Sequence, residues 1–333
     1  MITRFGRRFA AIVGGPRCGT TSLARWLREH PDICFSNVKE PHFFTMHDLG
    51  GESDNELQRI VRDQYLARYF PHCDEGKMVA EGSVTYLYAP ERIEPLLRLW
   101  RDAKFVISVR DPMKMLPSLH QRLLVTGDET VTDFDSAWQL VPERRAGRQI
   151  PSSCIDPRFL DYETSARFGT FVGRFFEVIG RERCHVVVHD DLIANPAAVY
   201  REMLAFLGLS DDGRTDFRPR RSAGGFKFAW LQRLLKRPPV ATRAILAGEK
   251  FRERVTPVEK RQPGRIASAV MRGRKRLLRW NKAPAPPVNI SPEVQRDIAD
   301  KLRGEVEMLE RLLGRDFSHW LQVDLGKTGS PAR

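Results

Sequence analysis

The amino-acid sequence predicts an α/β fold in which a mainly parallel central sheet lies between layers of helices. Short apolar runs alternate with amphipathic stretches along residues 9–210, as expected for strands connected by helices. The later runs, Phe105–Val109 and His185–Val188, are mostly apolar and rich in β-branched residues, which is typical of strands buried on both faces of a parallel sheet. The first run, Phe9–Val13, leads directly into a glycine-rich turn. Strand, loop and helix therefore form the predicted opening unit.

The strand predictions rest on short apolar runs, and the first helix rests on apolar spacing. Leu23, Trp26 and Leu27 stand at i, i+3 and i+4 after the turn, so we expect a helix that ends near His30, because Pro31 follows. The five predicted strands are Phe9–Val13, Ile33–Phe35, Met78–Glu81, Phe105–Val109 and His185–Val188.

Further helices are predicted where capping residues and prolines punctuate the chain. Asn195 is a predicted N-cap, and Pro95 and Pro117 would kink two of these helices or delay their starts. The predicted stretches are Pro90–Trp100, Pro112–Val125, Pro196–Leu207 and a C-terminal helix from the N-cap Ser291 to Gly314.

Length and composition exclude several classes of protein. A chain of 333 residues with 41% hydrophobic residues is long enough for one full core and could hold two, which excludes a disulfide-stapled miniprotein and bulk disorder. The five cysteines form no CxxC pair, which favours a reducing compartment. No apolar run approaches the 18 or so residues that span a bilayer. We therefore expect a cytoplasmic protein.

The chain is read as one domain, residues 1–333, with an uneven distribution of charge. Residues 9–210 are the predicted core, 211–287 an arginine-rich cap or insertion, and 288–325 the C-terminal helical segment. The formal charge is +13, and residues 214–282 hold 21 Lys and Arg against four Asp and Glu. Such a block can bind phosphate-rich partners, an anionic cosubstrate or an acidic membrane surface, or it can be a solvated face.

The glycine-rich loop Gly14–Thr21 is a predicted anion-binding site. It has the GxxxxG frame of a P-loop, but threonine stands where lysine would follow Gly19. Glycines allow successive backbone N–H groups to point inward, and the following helix adds the positive end of its dipole. Arg17 adds a fixed charge, and Thr20, Thr21 and Ser22 add hydroxyl donors. Cys18 could be an activated thiol at a helix N-terminus, but a small residue that fits the loop is the favoured interpretation.

Two motifs in this sequence resemble the PAPS-dependent sulfotransferase family, in a bacterial form similar to the glycan and heparan sulfotransferase branch. The first is the segment from Gly15 to Leu23, and the second is a strand that ends in Arg110-Asp111-Pro112 with Ser118 eight residues after the arginine. The resemblance implies a P-loop-type three-layer fold. It also implies that Arg110 and Ser118 bind the 3′-phosphate of 3′-phosphoadenosine 5′-phosphosulfate (PAPS). By the same resemblance, the 5′-phosphosulfate end is bound by Gly15, Pro16, Arg17, Cys18, Gly19, Thr20, Thr21 and Ser22. Taken alone, the Arg110 motif could equally be a structural turn with a local ion pair.

A third motif, Lys39-Glu40-Pro41-His42-Phe43-Phe44, resembles a segment of the same family. The resemblance implies that Glu40 is the general base. His42 is the competing base, and the cation that balances charge near the reacting group is either Lys39 or Arg17 alone. The alternative is that Glu40 is an ordinary capping or salt-bridged carboxylate and that His42 and both phenylalanines belong to the core.

Two further segments resemble the family less closely. Glu81–Leu87 is similar to a segment that lines the active cleft, with Gly82 where some members carry lysine. Arg221 and Lys227 lie where the family has a basic loop over the nucleotide, and a solvated basic loop is the alternative.

The sequence therefore predicts a sulfotransferase of the EC 2.8.2 type. It would move the sulfuryl group from PAPS to a hydroxyl or amine of a small-molecule, glycan or lipid acceptor, without a metal. The alternatives are a P-loop nucleotide kinase or NTPase with Asp111 as a metal-binding acid, and a non-enzymatic polyanion-binding protein. No nucleic-acid partner is expected, peripheral membrane contact through the basic region is compatible with the charge, and the sequence does not indicate an oligomeric state.

Overall fold

The computed structural model describes residues 8–218, 224–236, 265–286 and 288–323. These residues divide into two compact units. The first unit comprises residues 8–115, 165–218 and 298–323, and the second comprises 116–164, 224–236, 265–286 and 288–297. Arg221 lies outside the described residues, as does part of the predicted basic cap, residues 219–223, 237–264 and 287. The single-domain interpretation and its limits stay predictions.

A parallel sheet of five strands, counted over the described ranges, forms the centre of the first unit. Its strand order is β2-β3-β1-β4-β5, and each neighbouring pair is parallel. The chain builds one side of the sheet from β1 and then the other, so the sheet has a switch point beside β1, where α/β proteins commonly bind ligands. The strands are β1 Phe9–Ile12, β2 Ile33–Phe35, β3 Met78–Gly82, β4 Lys104–Val109 and β5 Cys184–Val188. The predicted α/β class and all five predicted strands are confirmed.

Fifteen α-helices occur in the described parts of the chain. A π-helical turn at Val61–Leu66 continues α3, and short 3₁₀ turns include Val84–Tyr88 and Pro90–Arg92. In the first unit or crossing its limits, the helices are α1 Thr20–Glu29, α2 Phe43–Met46, α3 Asp54–Ile60, α4 Ala67–Tyr69, α5 Leu96–Leu99, α6 Pro112–Thr126, α10 Phe168–Ile179, α11 His189–Ala194, α12 Pro196–Leu207 and α15 Pro292–Leu313. The second unit contains α7 Phe134–Gln139, α8 Val141–Arg145, α9 Tyr162–Ser165, α13 Ala229–Lys236 and α14 Arg265–Trp280, of which α9 ends at the unit boundary.

The helix predictions are confirmed with one exception. Asn195 caps α12 by accepting a hydrogen bond from the Ala198 N–H at 3.1 Å, and α6 continues through Pro117. The expected helix Pro90–Trp100 is wrong: a 3₁₀ turn is followed by the four-residue α5, with Pro95 as its N-cap. Proline fixes its own φ and has no N–H to donate, so it begins a helix more easily than it continues one.

Helices cover both faces of the sheet in the first unit, which gives the predicted three layers. Alternate strand residues such as Ile12 and Val106 pack against Trp26 of α1 and Met203 of α12. On the opposite face, the ring of Phe105 lies 5.5 Å from that of Phe175 in α10. Because the central strands β1, β3 and β4 bury both faces, their sequences are mostly apolar rather than alternating.

The second unit has its own buried polar centre. Arg144 and Glu129 form an ion pair at 2.7 Å with side chains 1% and 0% exposed, and the Tyr162 hydroxyl donates to Glu129 at 2.8 Å. A two-stranded antiparallel sheet, β6 Gly224–Phe226 with β7 Lys282–Pro284, joins α13 to the segment after α14. Within the described ranges, no helix combines the length and apolar character needed to cross a membrane.

Candidate active site

The loop between β1 and α1 has the geometry of an anion cradle. Gly19 is the N-cap of α1 at φ 89°, and no side chain among the described residues caps this helix. The N–H groups of Thr20 and Thr21, in the first turn, have no acceptor within the helix. A Cβ at Gly15 would lie 2.5 Å from the Cys18 sulfur and 2.8 Å from the Ser108 carbonyl oxygen. Only glycine fits there, so the loop folds tightly onto the sheet.

Two side chains at the end of β4 donate hydrogen bonds to carbonyl oxygens of this loop. The Ser108 hydroxyl donates to the carbonyl oxygen of Cys18, and Nη1 of Arg110 donates to the carbonyl oxygen of Arg17 at 3.0 Å. The Nε atom of Arg110 is buried and has no hydrogen-bond partner among the residues that the structure describes. A buried guanidinium N–H without an acceptor is costly, and an oxygen of a ligand bound at the loop would satisfy it.

Cys18 is a structural residue of the loop. Its side chain is fully buried, and its thiol lies 3.5 Å from the carbonyl oxygen of Pro16. Burial raises the pKa of the Cys18 thiol, although the charges of Arg110 and Arg17 act in the opposite direction. A nucleophilic cysteine needs a lowered pKa, so the geometry favours the small-residue interpretation over the activated thiol.

His189, the first residue of α11, lies beside the loop. A Cβ added at Gly19 would be 3.2 Å from Cδ2 of this imidazole. Burial, followed by the charge of Arg110, lowers the pKa of His189 to about 4, and Arg17 adds to the effect. The ring is therefore neutral at pH 7, and it can accept or donate a hydrogen bond next to two fixed cations.

Asp111 caps helix α6. Its carboxylate accepts a hydrogen bond from the Met113 N–H at 2.9 Å and lies 3.1 Å from the ammonium group of Lys114. Burial raises the pKa of Asp111, although the bond to Lys114 opposes the shift. These contacts favour a structural role for this carboxylate over the metal-binding role considered for a kinase.

The Lys39–His42 segment lies against the end of β3. The Gly82 N–H donates to the Lys39 carbonyl oxygen at 3.2 Å, and the His42 N–H donates to the Ser83 hydroxyl at 2.9 Å. His42 adopts φ 55°, a left-handed conformation that is uncommon for a residue other than glycine. Two hydrogen bonds to β3 and the following residue therefore fix the backbone on both sides of Glu40.

The side chains of this segment form a connected group. Glu40 pairs with the Lys39 ammonium, and its second oxygen lies 3.9 Å from Nε2 of His42. Nδ1 of His42 is 2.8 Å from the Thr85 hydroxyl, which is 2.8 Å from the Thr45 hydroxyl. The Glu40 side chain is 32% exposed and that of His42 is 11% exposed. Of these two candidate bases, Glu40 is the more accessible to a substrate.

A second carboxylate, Glu81, lies beneath this segment and is completely buried. It accepts hydrogen bonds from the hydroxyls of Tyr86 at 2.6 Å, Tyr65 at 2.9 Å and Ser83 at 2.6 Å. Burial raises the pKa of Glu81 to about 7; the three hydroxyls lower it, and the charge of Glu40 contributes to the rise. Glu81 cannot reach a substrate, but through Ser83 it is connected to the backbone of His42.

Parts of this chain are similar in sequence to known sulfotransferases. A family model described as "Sulfotransferase family" matches residues 52–213. Human carbohydrate sulfotransferase 15 is 51% identical over 54 residues, which cover 16% of this chain and 9% of that protein. Chicken protein-tyrosine sulfotransferase 2 is 24% identical over 226 residues, which cover 60% of this chain and 50% of that protein.

Residues 52–213 of this chain, just under half of its length, therefore match the sulfotransferase family. The crystal structure of a sulfotransferase from Alicyclobacillus acidocaldarius superposes with a TM-score of 0.61 at 22% identity, covering 95% of this chain and 99% of that one. This likeness shows the fold. The matches to the two curated relatives span half or less of those proteins.

The family match covers some of the sulfotransferase motifs and not others. Arg110, Glu81 and His189 lie within residues 52–213, whereas the glycine-rich loop and the Lys39–Phe44 segment precede them. The structure connects both segments to the matched region through hydrogen bonds. Arg110 donates to the loop at the Arg17 carbonyl oxygen, and Gly82 of β3 donates to the Lys39 carbonyl oxygen.

Three other predicted site residues belong to the second unit or lie outside the described residues. Ser118 is half-buried in α6 and belongs to the second unit, so its convergence with Arg110 stays a prediction. Lys227 also belongs to the second unit, where its ammonium lies 5.4 Å from the ring centroid of Trp280. Its role at the nucleotide stays a prediction, as does that of Arg221. Phe43 and Phe44 are buried core residues, as the structural alternative expected.

Sequence reasoning gave no individual role to Glu81, Ser83, Thr85, Ser108 or His189. Strand order contains a signal for some of them, because ligands of α/β proteins bind outside the carboxyl ends of the strands. Glu81 is near the end of β3, Ser108 is near the end of β4, and His189 directly follows β5. Hydrogen bonding across 41 to 43 residues, as between His42 and Ser83 or Thr85, leaves no such signal in the sequence.

Proposed function

We propose that this protein transfers a sulfuryl group from PAPS to a hydroxyl or amine of an acceptor. The observation that carries the proposal is the buried Nε of Arg110, which lacks a partner among the described residues while Nη1 of the same guanidinium holds the glycine-rich loop. A nucleotide phosphate placed there would accept from Nε and lie close to the loop.

The donors of the loop fit the phosphosulfate end of the same molecule. The first-turn N–H groups of Thr20 and Thr21 and the cradle at Gly15 provide main-chain donors and close approach. Arg17 supplies a positive charge on the loop, which would balance charge that develops on the departing phosphate. When bound, PAPS supplies the sulfuryl group and departs as 3′-phosphoadenosine 5′-phosphate. The scheme uses no metal.

Glu40 is the proposed general base. Its exposed fraction allows contact with a substrate, whereas Glu81 is completely buried. As the acceptor oxygen or nitrogen forms its bond to sulfur, the acceptor proton passes to the Glu40 carboxylate and the bond from sulfur to the 5′-phosphate oxygen breaks. Lys39, paired with Glu40, is the cation near the reacting group. Gly82 has no side chain to take that place.

The acceptor class is proposed only as a hydroxyl or amine. The names of the relatives specify carbohydrate and protein tyrosine as their acceptors, and these two classes share a nucleophilic hydroxyl. A small-molecule, glycan or lipid acceptor fits the proposal equally well. A cytoplasmic location and a bacterial origin are further predictions from the sequence.

Calorimetric titration with 3′-phosphoadenosine 5′-phosphate tests the nucleotide site. We expect saturable binding to the wild-type protein without Mg²⁺ and at least a tenfold loss of affinity in Arg110→Ala, because a charged hydrogen bond is worth roughly 1.5–3 kcal/mol. Arg303→Ala, an exposed arginine of α15, is the matched control and should bind like the wild type.

Two results would contradict the proposal. Preference for ATP with Mg²⁺ would indicate the nucleotide kinase or NTPase instead. Absence of binding to any nucleotide, together with salt-sensitive binding to a polyanion, would indicate the non-enzymatic alternative. If the nucleotide binds as expected, transfer of ³⁵S from labelled PAPS to a panel of hydroxyl and amine acceptors identifies the acceptor.

A further inference from the structure

The second unit carries a surface of exposed apolar and basic side chains that the proposed reaction does not use. Two tryptophans are largely solvent-exposed, Trp230 at 65% and Trp280 at 55%. Phe228, Leu234 and Leu277 are exposed around them. We call these five residues the aromatic patch. Contiguous exposed apolar groups on a soluble protein commonly mark a surface that contacts another phase or molecule.

The aromatic patch is held in place by a rigid scaffold. Asn281 is completely buried, and its side chain accepts from the Phe228 N–H at 2.8 Å and donates to the Phe228 carbonyl oxygen at 3.1 Å. Nε of Arg274 donates to the Leu235 carbonyl oxygen at 2.9 Å, which joins α14 to α13. The rings of Phe228 and Trp280 stack at 5.6 Å. The rings of Phe228 and Trp280 are therefore held together on this scaffold.

Helix α14 separates its side chains into three sectors. Residues three or four apart share a face, so Gly273, Leu277 and Trp280 form one exposed apolar stripe. Met271, Arg274 and Leu278 form the half-buried sector. The remaining sector holds four exposed cations beside the stripe: Arg272, Lys275, Arg276 and Arg279.

The charge of this region has one sign. The segments 224–236 and 265–286 contain ten Lys and Arg and no Asp or Glu. Lys227 lies over the Trp280 ring at 5.4 Å, and Arg233 is exposed on α13 next to Leu234. A surface that combines exposed Trp and Leu with a row of cations is complementary to the headgroup region of an anionic bilayer.

We propose that the aromatic patch and the adjacent cations of α14 bind the surface of a membrane that contains anionic lipid. Trp230 and Trp280 would enter the interface between headgroups and acyl chains, where tryptophan is favoured. The arginines and lysines would lie among the anionic headgroups. The exposed leucines favour this partner over a polyanion in solution, because a polyanion does not bury aliphatic side chains. The proposal does not depend on the enzymatic one.

Tryptophan fluorescence with vesicles gives a direct test. The other four tryptophans, Trp26, Trp100, Trp138 and Trp320, are at most 4% exposed. We use vesicles of brominated phosphatidylcholine with about 30% phosphatidylserine, and we expect quenching that saturates with lipid. Vesicles of brominated phosphatidylcholine alone should quench much less, because each basic residue near an anionic surface contributes about fivefold to binding.

Two sets of variants separate the two contributions in a vesicle sedimentation assay. Trp230→Ala with Trp280→Ala should weaken partition roughly tenfold or more, because the buried apolar area is lost. Arg272→Gln, Lys275→Gln and Arg276→Gln together should weaken it roughly 100-fold. The matched controls are Ile193→Ala, an apolar residue 68% exposed in the first unit, and Arg59→Gln with Arg62→Gln and Arg303→Gln, three exposed arginines elsewhere. Both controls should bind like the wild type.

Three outcomes would overturn the proposal. One is equal quenching by neutral and anionic vesicles, and another is sedimentation that is lost in the charge variant but unchanged in the tryptophan variant, which would mean contact without insertion. The third is binding to heparin with no binding to vesicles, which would assign the cations to a soluble polyanion. Thermal melting of each variant shows whether it is folded, and quenching of the wild-type protein does not depend on any substitution.

Discussion

The phosphate side and the acceptor side of the candidate site are built in different ways. On the phosphate side, the main chain of the Gly15–Thr21 loop provides much of the surface, and Ser108 and Arg110 hold it through its carbonyl oxygens. On the acceptor side, the contacts are hydrogen bonds between side chains: His42 bonds with Thr85, and Ser83 donates to Glu81. The acceptor side also contains the two carboxylates, Glu40 and Glu81.

This difference separates binding from chemistry. A main-chain cradle tolerates changes in side chains provided that the backbone keeps its conformation, which requires glycine at Gly15 and Gly19. A side-chain network changes with each substitution and with pH, so its members can be assigned one at a time. We expect substitutions on the acceptor side to alter turnover and its pH dependence, and substitutions on the phosphate side to alter nucleotide affinity.

The largest expected effect is that of Glu40→Gln on turnover. Loss of a general base lowers the rate of a proton-transfer step by about 10²–10⁴, and the amide cannot take up the acceptor proton. Affinity for 3′-phosphoadenosine 5′-phosphate, measured by calorimetry, should stay within about twofold of the wild type. Glu75→Gln, at an exposed position in the first unit, is the control. An equal loss of nucleotide affinity in Glu40→Gln would show that the two sides are not separable.

The next effect is on stability and concerns the buried carboxylate. The pKa of Glu81 is raised by burial to about 7 in the folded protein, from 4.5 when it is unperturbed. Below about pH 4.5, the group is neutral in both states and has no penalty. Between about pH 4.5 and pH 7, Glu81 is ionised in the unfolded chain but still protonated in the folded protein, which lowers the stability of the wild type by about 3 kcal/mol. Above about pH 7, Glu81 is ionised in both states and the loss does not grow further.

Glu81→Gln should remove this pH dependence. The amide keeps an oxygen for the two tyrosine hydroxyls and gains an N–H that can donate to Ser83. Urea unfolding of both proteins from pH 4 to pH 8 measures the difference, in which the other titrating groups cancel. The variant should become the more stable of the two as the pH rises. A constant difference across this range would mean that Glu81 does not titrate there.

How much of this could be predicted differs between the two sides. The sheet, its five strands and the loop could be predicted, because apolar runs, glycine spacing and caps are local patterns. Arg110 was indicated by the resemblance of its motif, Arg110-Asp111-Pro112 followed by Ser118, to the sulfotransferase family. The hydrogen bond between Ser108 and Cys18 joins residues 90 positions apart, and no local sequence pattern indicates it.

On the acceptor side, the sequence indicated Glu40, His42 and Lys39 through a contiguous motif, but it did not indicate the residues that position them. Glu81 is preceded by an apolar strand, and only its burial distinguishes it from a surface carboxylate. For Pro90–Trp100, the sequence indicated that Pro95 would kink the helix or delay its start, and the structure shows that the α-helix begins only after Pro95.

A smaller effect is expected from Gly19→Ala on the phosphate side. Both Gly19 at φ 89° and Gly76 at φ 87° would force alanine into a left-handed conformation, at a cost of roughly 1–2 kcal/mol. A Cβ added at Gly76 would have no atom within 4 Å, whereas a Cβ added at Gly19 would clash with the Leu192 side chain and lie 3.2 Å from His189. We therefore expect Gly19→Ala to lose at least as much stability as Gly76→Ala, and we expect a roughly tenfold loss of nucleotide affinity only in Gly19→Ala. Equal affinity in the two variants would contradict the assignment of the loop.

The smallest effect, that of Thr85→Val, decides between the two candidate bases. The Thr85 hydroxyl lies 2.8 Å from Nδ1 of His42, and the opposite nitrogen, Nε2, faces Glu40. A neutral hydrogen bond is worth about 1 kcal/mol, so if Glu40 is the base, turnover should fall roughly three- to fivefold with an unchanged pH profile. If His42 is the base, loss of Thr85 removes a group bonded directly to the titrating ring, and the acidic limb of the profile should move. Thr126→Val, whose hydroxyl bonds to carbonyl oxygens of its own helix, is the control for the methyl replacement. A shifted acidic limb in Thr85→Val alone would therefore transfer the role of base from Glu40 to His42.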